Sequence, residues 1–123
     1  MNKKEQFLRE LNQAFANNET EYILSQVTKD IRWDILGEDP IEGKENVRKA
    51  LQKMESDTPF ELTINNIITH GSMAAVDGIM TAVGNRSWGF CDIYEFKGFK
   101  NLKVKTITSY VVELTPKPTT VGE

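Results

Sequence analysis

The sequence predicts a single α+β domain in which three N-terminal helices pack into a curved antiparallel sheet. Helical spacing of apolar residues is confined to the first half of the chain, and four long β-like segments follow Pro59. A run of helices followed by a run of strands is typical of α+β rather than α/β proteins. The length of 123 residues fits one domain, which we assign to residues 1–115. Residues 116–123 contain two prolines and no apolar period, so we expect a frayed tail.

Composition narrows the possible classes of function. The net charge of −3 argues against nucleic acid as a partner, because nucleic-acid binding usually requires a basic surface. No run of about 18 apolar residues occurs, so no membrane span is expected. The N-terminus leads directly into an amphipathic pattern without an apolar signal core, which favours a cytoplasmic protein. One cysteine and one histidine exclude an internal disulfide and a multi-histidine metal site, and we expect no cofactor.

Helical periodicity predicts helices at residues 3–17, at about 20–27 and at about 43–55. Asn17-Asn18 is expected to end the first helix, because asparagine tolerates the left-handed conformation. Met54 is expected on the buried side of the third helix. The first helix places its apolar side chains on one stripe, formed by Phe7, Leu8, Leu11, Ala14 and Phe15.

Residues 30–35 alternate between polar and apolar, which predicts a half-buried strand. The four long segments after Pro59 cover residues 60–70, 73–83, 88–96 and 102–115. Consecutive strands joined by short turns form an antiparallel meander, and long twisted strands curl. A curled sheet with helices over its mouth encloses a cavity, so the topology predicts a pocket.

The segment 88–96 carries the clearest candidate site. Since strand side chains alternate, one face holds four aromatic residues and one carboxyl: Trp88, Phe90, Asp92, Tyr94 and Phe96. Apolar surroundings raise the pKa of a carboxyl because burial disfavours the charged form. Asp92 is therefore a candidate hydrogen-bond donor or general acid or base. The alternative is a buried carboxylate that is paired with a tyrosine or arginine and takes no part in chemistry.

Alternation also assigns faces on the first and last strands. Trp33 and Ile35 are expected to face the pocket, and Asp34 to point outward unless a bulge turns it inward. On the last strand Tyr110 shares a face with Val104, Thr106, Thr108 and Val112, and we interpret it as a pocket residue or a core tyrosine with its hydroxyl at the rim. Three residues on the opposite faces are predicted to form an outer apolar surface covered by a second subunit: Ile93, Ile107 and Val111.

Two residues with reactive side chains, Cys91 and His70, are not expected to take part in chemistry. Cys91 lies on the strand face opposite Asp92 and is interpreted as a small buried apolar residue rather than a nucleophile. His70 precedes Gly71 at a strand end and is interpreted as a surface turn residue rather than a catalytic group.

Several short segments, in this order and spacing, resemble the SnoaL-like polyketide cyclase and ketosteroid isomerase branch of the nuclear transport factor 2-like superfamily. They are Trp33-Asp34, the 37–43 turn before Val47, and residues 74–78, 90–96 and 109–111. The resemblance implies a cone-shaped α+β barrel with a cystatin-like fold, commonly a dimer, with a ligand cavity inside the cone.

Within this resemblance, Asp92 matches the isomerase aspartate that helps to form the oxyanion hole. The register of the isomerase base aspartate falls on Ile35, with Asp34 one residue away. The first helix has apolar residues such as Leu11 and Phe15 where the isomerases use a tyrosine. Ketosteroid isomerase chemistry is therefore not expected.

The leading hypothesis is a small-molecule-binding SnoaL-like protein that acts on a largely apolar or aromatic ligand. Asp92 is the candidate catalytic residue for an acid/base isomerase, cyclase, hydrolase or dehydratase. The expected ligand contacts are Phe15, Trp33, Ile35, Trp88, Phe90, Tyr94 and Tyr110, and no metal ligand is expected. The alternative is a non-catalytic ligand-binding or dimerisation module, favoured by the expected absence of a second carboxylate, a histidine or a metal set in the pocket.

Overall fold

The computed structural model describes residues 2–54, 59–82, 84 and 86–115. In chain order the elements are α1 (Lys3–Ala16), α2 (Thr20–Ser25), β1 (Val27–Ile35), β2 (Ile41–Glu42), α3 (Lys44–Met54), β3 (Glu61–His70), β4 (Met73–Thr81), β5 (Ser87–Phe96) and β6 (Val104–Leu114). All three predicted helices and five predicted strands are present, and only the two-residue β2 was not expected. The expected frayed tail at 116–123 lies outside the described residues.

Helix α1 begins and ends at asparagines. The Asn2 side chain accepts a hydrogen bond of 2.8 Å from the backbone N–H of Glu5 and so satisfies one free donor of the first turn. Asn18 has a φ of 60°, which confirms the expected left-handed residue after the helix. Leu8 and Leu11 are fully buried on the predicted stripe, which holds α1 against the sheet. Among the helices of the described residues, none has the length and apolarity needed to cross a bilayer.

The six strands form one sheet in the order β2-β1-β6-β5-β4-β3. Strands β3 to β6 form the predicted antiparallel meander. The sheet is antiparallel as predicted except at one pairing, where β1 runs parallel to β6. The long connection through α3 and the meander brings the chain back beside β1, as parallel pairing requires. Since β2 and β3 are the two edges, the curved sheet does not close into a barrel.

Two β-bulges interrupt the antiparallel meander, and the β1–β6 pairing also shifts register between Val27 and Arg32. On β3 the register shifts between Ile64 and Asn66, opposite Gly78 of β4. A Cβ at Gly78 would lie 2.1 Å from the carbonyl oxygen of Thr63, so only glycine fits there. On β6 the register with β5 shifts between the pairs Phe96–Val104 and Glu95–Thr106. Each bulge bends its strand and increases the twist, which makes one face of the sheet concave.

The hydrophobic core lies between the concave face and the helices. Its fully buried members come from both layers and include Leu8, Ile23, Ile31, Val76, Tyr94 and Phe96. Fully burying one such side chain stabilises the fold by about 1.5–3 kcal/mol. The helices cover the concave face only in part, and the remaining space is the cavity described below.

Candidate functional site

A cavity of about 460 Å³ opens between the helices and the concave face of the sheet. Its walls are mainly apolar, with five aromatic side chains: Phe15, Trp33, Phe60, Trp88 and Phe90. Phe15 packs edge-on against Trp33 with ring centroids 5.6 Å apart, and Phe60 packs edge-on against Trp88 at 5.8 Å. The size and the apolar lining are those of a site for a small molecule.

Asp92 supplies the carboxyl group of the cavity wall. The Tyr94 hydroxyl donates a long hydrogen bond of 3.4 Å to Asp92 Oδ2. Ser109 lies directly opposite Asp92 on β6 and hydrogen-bonds to the carboxyl with its side chain. Both partners are neutral. An ionised Asp92 is therefore stabilised by hydrogen bonds from hydroxyl groups and not by an ion pair with these partners.

Burial raises the pKa of Asp92 to about 6. The hydrogen bonds from Ser109 and Tyr94 act in the opposite direction, because they favour the charged form, but desolvation outweighs them. A pKa of about 6 leaves roughly nine in ten of these carboxyls ionised at pH 7. Such a group can accept a proton near neutral pH and can donate one in mildly acidic solution.

Two further hydrogen bonds hold the partners of Asp92 in place. The indole Nε1 of Trp33 donates to Ser109 Oγ at 2.9 Å, which leaves the Ser109 hydroxyl hydrogen available for the carboxyl. Asn12 Nδ2 on α1 lies 3.2 Å from the Tyr94 hydroxyl and 2.8 Å from the Leu8 carbonyl oxygen. Burial and the nearby Asp92 raise the pKa of Tyr94 well above its usual value, so this hydroxyl stays protonated and can donate.

Ser109 and Asn12 were not predicted from the sequence. Asn12 lies four residues after Leu8 on the apolar stripe of α1, and a polar residue in such a stripe is the signal that could have revealed it. Ser109 faces the cavity because of the β6 bulge, which no turn residue or proline marks in the sequence.

Most of the predicted site residues lie together. Phe15, Trp33, Ile35, Trp88 and Phe90 line the cavity with Asp92. Tyr94 is fully buried behind this surface and reaches the site through its hydroxyl. Whether these residues contact a ligand stays a prediction.

The position predicted for Tyr110 is wrong. It is 49% exposed on the convex face, where it pairs with Cys91. The bulge inserts one extra residue after Val104, and a shift of one residue moves every following side chain to the opposite face. For the same reason Ile107 and Val111, predicted to lie outside, line the cavity instead, whereas Ile93 keeps its predicted outward position.

A second carboxylate borders the cavity, which corrects the expectation that none would. Glu38 lies in the exposed turn after β1, whose backbone is held by a hydrogen bond of 3.0 Å from the Glu38 N–H to the Ile35 carbonyl. Met54, expected to be buried, is 45% exposed and also borders the cavity. Asp34 points outward as predicted, and its carboxylate binds Arg32 at 3.0 Å.

The remaining reactive side chains lie away from the cavity. Cys91 is on the convex face, and burial raises the pKa of its thiol, with Asp77 and Asp92 adding to the effect. A raised thiol pKa disfavours the nucleophilic thiolate. His70 is exposed at the end of β3, as predicted. Within the described residues, no group of three or more His, Cys, Asp or Glu side chains is arranged to hold a metal ion.

The structure defines the class as an open α+β cone with an apolar cavity and one partly buried, desolvated carboxyl group. The SnoaL-like domain family matches residues 8–101, and the chain belongs to this family. No curated protein shows significant sequence similarity to the chain.

Solved structures share the fold. A nuclear transport factor 2-like protein of unknown function from Cytophaga hutchinsonii is 26% identical, with a TM-score of 0.69, over 88% of this chain and 98% of that chain. A candidate ketosteroid isomerase from Kribbella flavida is 18% identical, with a TM-score of 0.75, over 97% and 84%. An LEH-like epoxide hydrolase from Mycobacterium tuberculosis is 17% identical, with a TM-score of 0.66, over 80% and 74%.

Proposed function

We propose that the cavity binds a small, largely apolar ligand whose polar group contacts Asp92, and that Asp92 exchanges a proton with it. The observation that carries this proposal is a carboxyl group with a pKa of about 6 in an aromatic-walled cavity of about 460 Å³. Carboxyls with raised pKa values in clefts are enriched at functional sites. Isomerisation, cyclisation, hydrolysis and dehydration all need such a proton donor or acceptor.

Binding can be tested without knowledge of the natural ligand. The neutral probe N-phenyl-1-naphthylamine gains fluorescence in apolar sites, and we expect saturable binding at one site per chain. Val111 borders the cavity, and its neighbour Val112 lies on the convex face with 65% exposure. Val111→Trp should weaken probe binding about ten-fold by filling the cavity, whereas Val112→Trp should leave it unchanged. Equal effects of the two variants would show that the probe binds elsewhere.

Proton transfer can be tested with a simple ketone. An ionised carboxylate near a bound ketone should accelerate exchange of its α-hydrogens with deuterated water. We expect the protein to catalyse this exchange in 2-tetralone, and Asp92→Asn to lower the rate by about two orders of magnitude. Binding without exchange would favour the alternative, a non-catalytic ligand-binding module, which is consistent with Asp92 being hydrogen-bonded to its own neighbours Ser109 and Tyr94.

We also propose that the chain forms a homodimer through the convex face of the sheet. This face carries exposed apolar side chains, among them Ile68 at 65%, Tyr110 at 49% and Val112 at 65% exposure. Several exposed apolar side chains on one sheet face are typical of an interaction surface. The cytoplasmic location expected from the sequence stays a prediction.

A further inference from the structure

The charges that the described residues contribute to the cavity wall are negative. Of the described residues that line it, Asp92 and Glu38 are the ionisable ones, and no lysine, arginine or histidine is among them. Arg86 stacks over the Trp88 ring at 5.1 Å, but its guanidinium is engaged by both carboxylate oxygens of Glu113, at 2.9 and 3.1 Å. Among the described residues of the cavity wall, an anionic ligand would therefore meet two carboxylates and no lysine, arginine or histidine to balance its own charge.

The aromatic walls favour the opposite sign. The face of an aromatic ring carries partial negative charge and attracts cations, most strongly in tryptophan. Five aromatic side chains line the cavity, and Trp33 and Trp88 are both among them. Trp33 and Phe90 are buried, and Phe15, Phe60 and Trp88 are partly buried. Partial removal of these rings from water makes their attraction for a cation larger than at a fully exposed surface.

In the part of the chain that the structure describes, the carboxyl group of Asp92 has no cationic partner. Each ion pair found among the described residues involves other carboxylates: Asp34, Glu42, Glu21, Glu45, Glu113 and Glu95. The hydrogen-bond partners of Asp92 among the described residues are the neutral side chains of Ser109 and Tyr94. Asp92 is partly buried and desolvated. A desolvated carboxylate without a counter-charge is unfavourable, and a ligand cation beside it would offset the desolvation.

We propose that the cavity selects ligands in which a single ammonium group is attached to an apolar, aromatic-sized body. The ammonium lies against the Asp92 carboxylate, and the body lies between the aromatic side chains. Neutral analogues bind more weakly, and carboxylates and phosphates are rejected. This inference rests on the proposed function, since it presupposes that the cavity takes a small apolar ligand.

Three probes with the same ring system separate charge from shape: 2-naphthylmethylamine, 2-naphthylmethanol and 2-naphthoate. Isothermal titration calorimetry at about pH 7.5 should show that the amine binds most tightly, with a dissociation constant about ten-fold below that of the alcohol. The dissociation constant of the alcohol should in turn be lower than that of the naphthoate. Lowering the pH to about 5 protonates Asp92, so the amine should lose most of its advantage while the alcohol is unaffected.

Matched variants test whether the preference for the amine probe arises from the carboxyl groups of the cavity. Asp92→Asn should bring the amine to within about three-fold of the alcohol, and Glu38→Gln should reduce the preference about two-fold. Asp34→Asn removes the same charge from the convex side, where Asp34 binds Arg32, and should leave the preference intact. If Asp92→Asn does not fold, as circular dichroism would show, the pH series on the unaltered protein carries the same test.

The outcomes separate the two proposals. If the alcohol or the naphthoate binds as tightly as the amine, charge selection is wrong and the proposed apolar binding site stands. If none of the three probes binds, both proposals fail. An amine preference that survives Asp92→Asn and low pH also overturns the inference, because it would then arise from the surface charge of the chain.

Discussion

The concave and convex faces of the sheet are formed by the same strands but have different surroundings. On β5, Phe90 and Tyr94 point to the concave face and are buried, whereas Cys91 and Ile93 point to the convex face. Helices α1 to α3 cover much of the concave face, and the described part of the chain contains no element that covers the convex one. The position of a residue in the alternation of its strand therefore decides whether it contributes to the site or to the outer surface.

This difference is most informative on β6. Before the bulge, Val104 is fully buried on the concave side; after it, Ile107 and Ser109 occupy that side. The bulge exchanges the faces of the rest of the strand, so that a serine reaches Asp92 and a tyrosine faces solvent. The contact between Ser109 and Asp92 in the cavity thus depends on the one extra residue that the bulge inserts into β6.

The largest predicted effect comes from placing a charge on each face of β6. Ile107 is 3% exposed, so Ile107→Asp buries an unpaired charge and should destabilise the fold by about 4 kcal/mol or more. Tyr110→Asp changes an exposed residue and should keep the fold while shifting the proposed dimer to monomers. Circular dichroism with urea measures folding, and light scattering after size exclusion measures mass.

The reverse result would contradict the claim that the β6 bulge places Ile107 on the concave face and Tyr110 on the convex face. If Ile107→Asp folds normally and Tyr110→Asp unfolds, the uninterrupted alternation predicted from the sequence is correct. If Tyr110→Asp remains dimeric, the convex face is not the dimer interface.

A smaller effect is predicted for the pH dependence of stability. The pKa of Asp92 in the folded state, about 6, lies above the ordinary aspartate value of 3.8, so the folded state binds the proton more tightly. The contribution of Asp92 to stability is therefore most favourable below pH 3.8 and is lost as the pH rises toward 6. The loss is about 3 kcal/mol from a shift of about two pKa units.

The Asp92→Asn variant has no carboxyl group to ionise at this position, so it should not show this loss of stability as the pH rises. Relative to the unaltered protein, its free energy of unfolding should increase by about 2–3 kcal/mol between about pH 4 and about pH 7. Urea unfolding at the two pH values measures the difference, and Asp34→Asn, which alters a carboxylate outside the cavity, controls for net charge. A stability difference that is the same at both pH values would mean that burial does not raise the pKa of Asp92.

The periodicity of the sequence was sufficient to predict the architecture. Helix α1, helix α3 and the meander were predicted to within a few residues, because apolar side chains recur there at helical or strand spacing. The parallel pairing of β1 with β6 was not predicted, since it joins segments about 75 residues apart, and no local pattern specifies that contact.

The site was predicted where alternation is regular and missed where it is not. Trp88, Phe90 and Asp92 lie on an uninterrupted stretch of β5, and their common face followed from the period of two. Ile107 and Tyr110 follow the bulge, so the same rule assigned them to the wrong faces. Glu38 lies in a turn, where no periodicity indicates which way a side chain points.

The ionisation of Asp92 tests the central claim most directly, because the claim is that an aromatic-walled cavity desolvates this carboxyl group. Carbon-13 NMR of the side-chain carboxyl, with the Asp92 signal assigned by its loss in Asp92→Asn, gives the midpoint between about pH 3 and about pH 8. We predict a midpoint at a pKa of about 6. A midpoint at the ordinary aspartate pKa of 3.8 would show a solvated carboxylate and would contradict the proposed site.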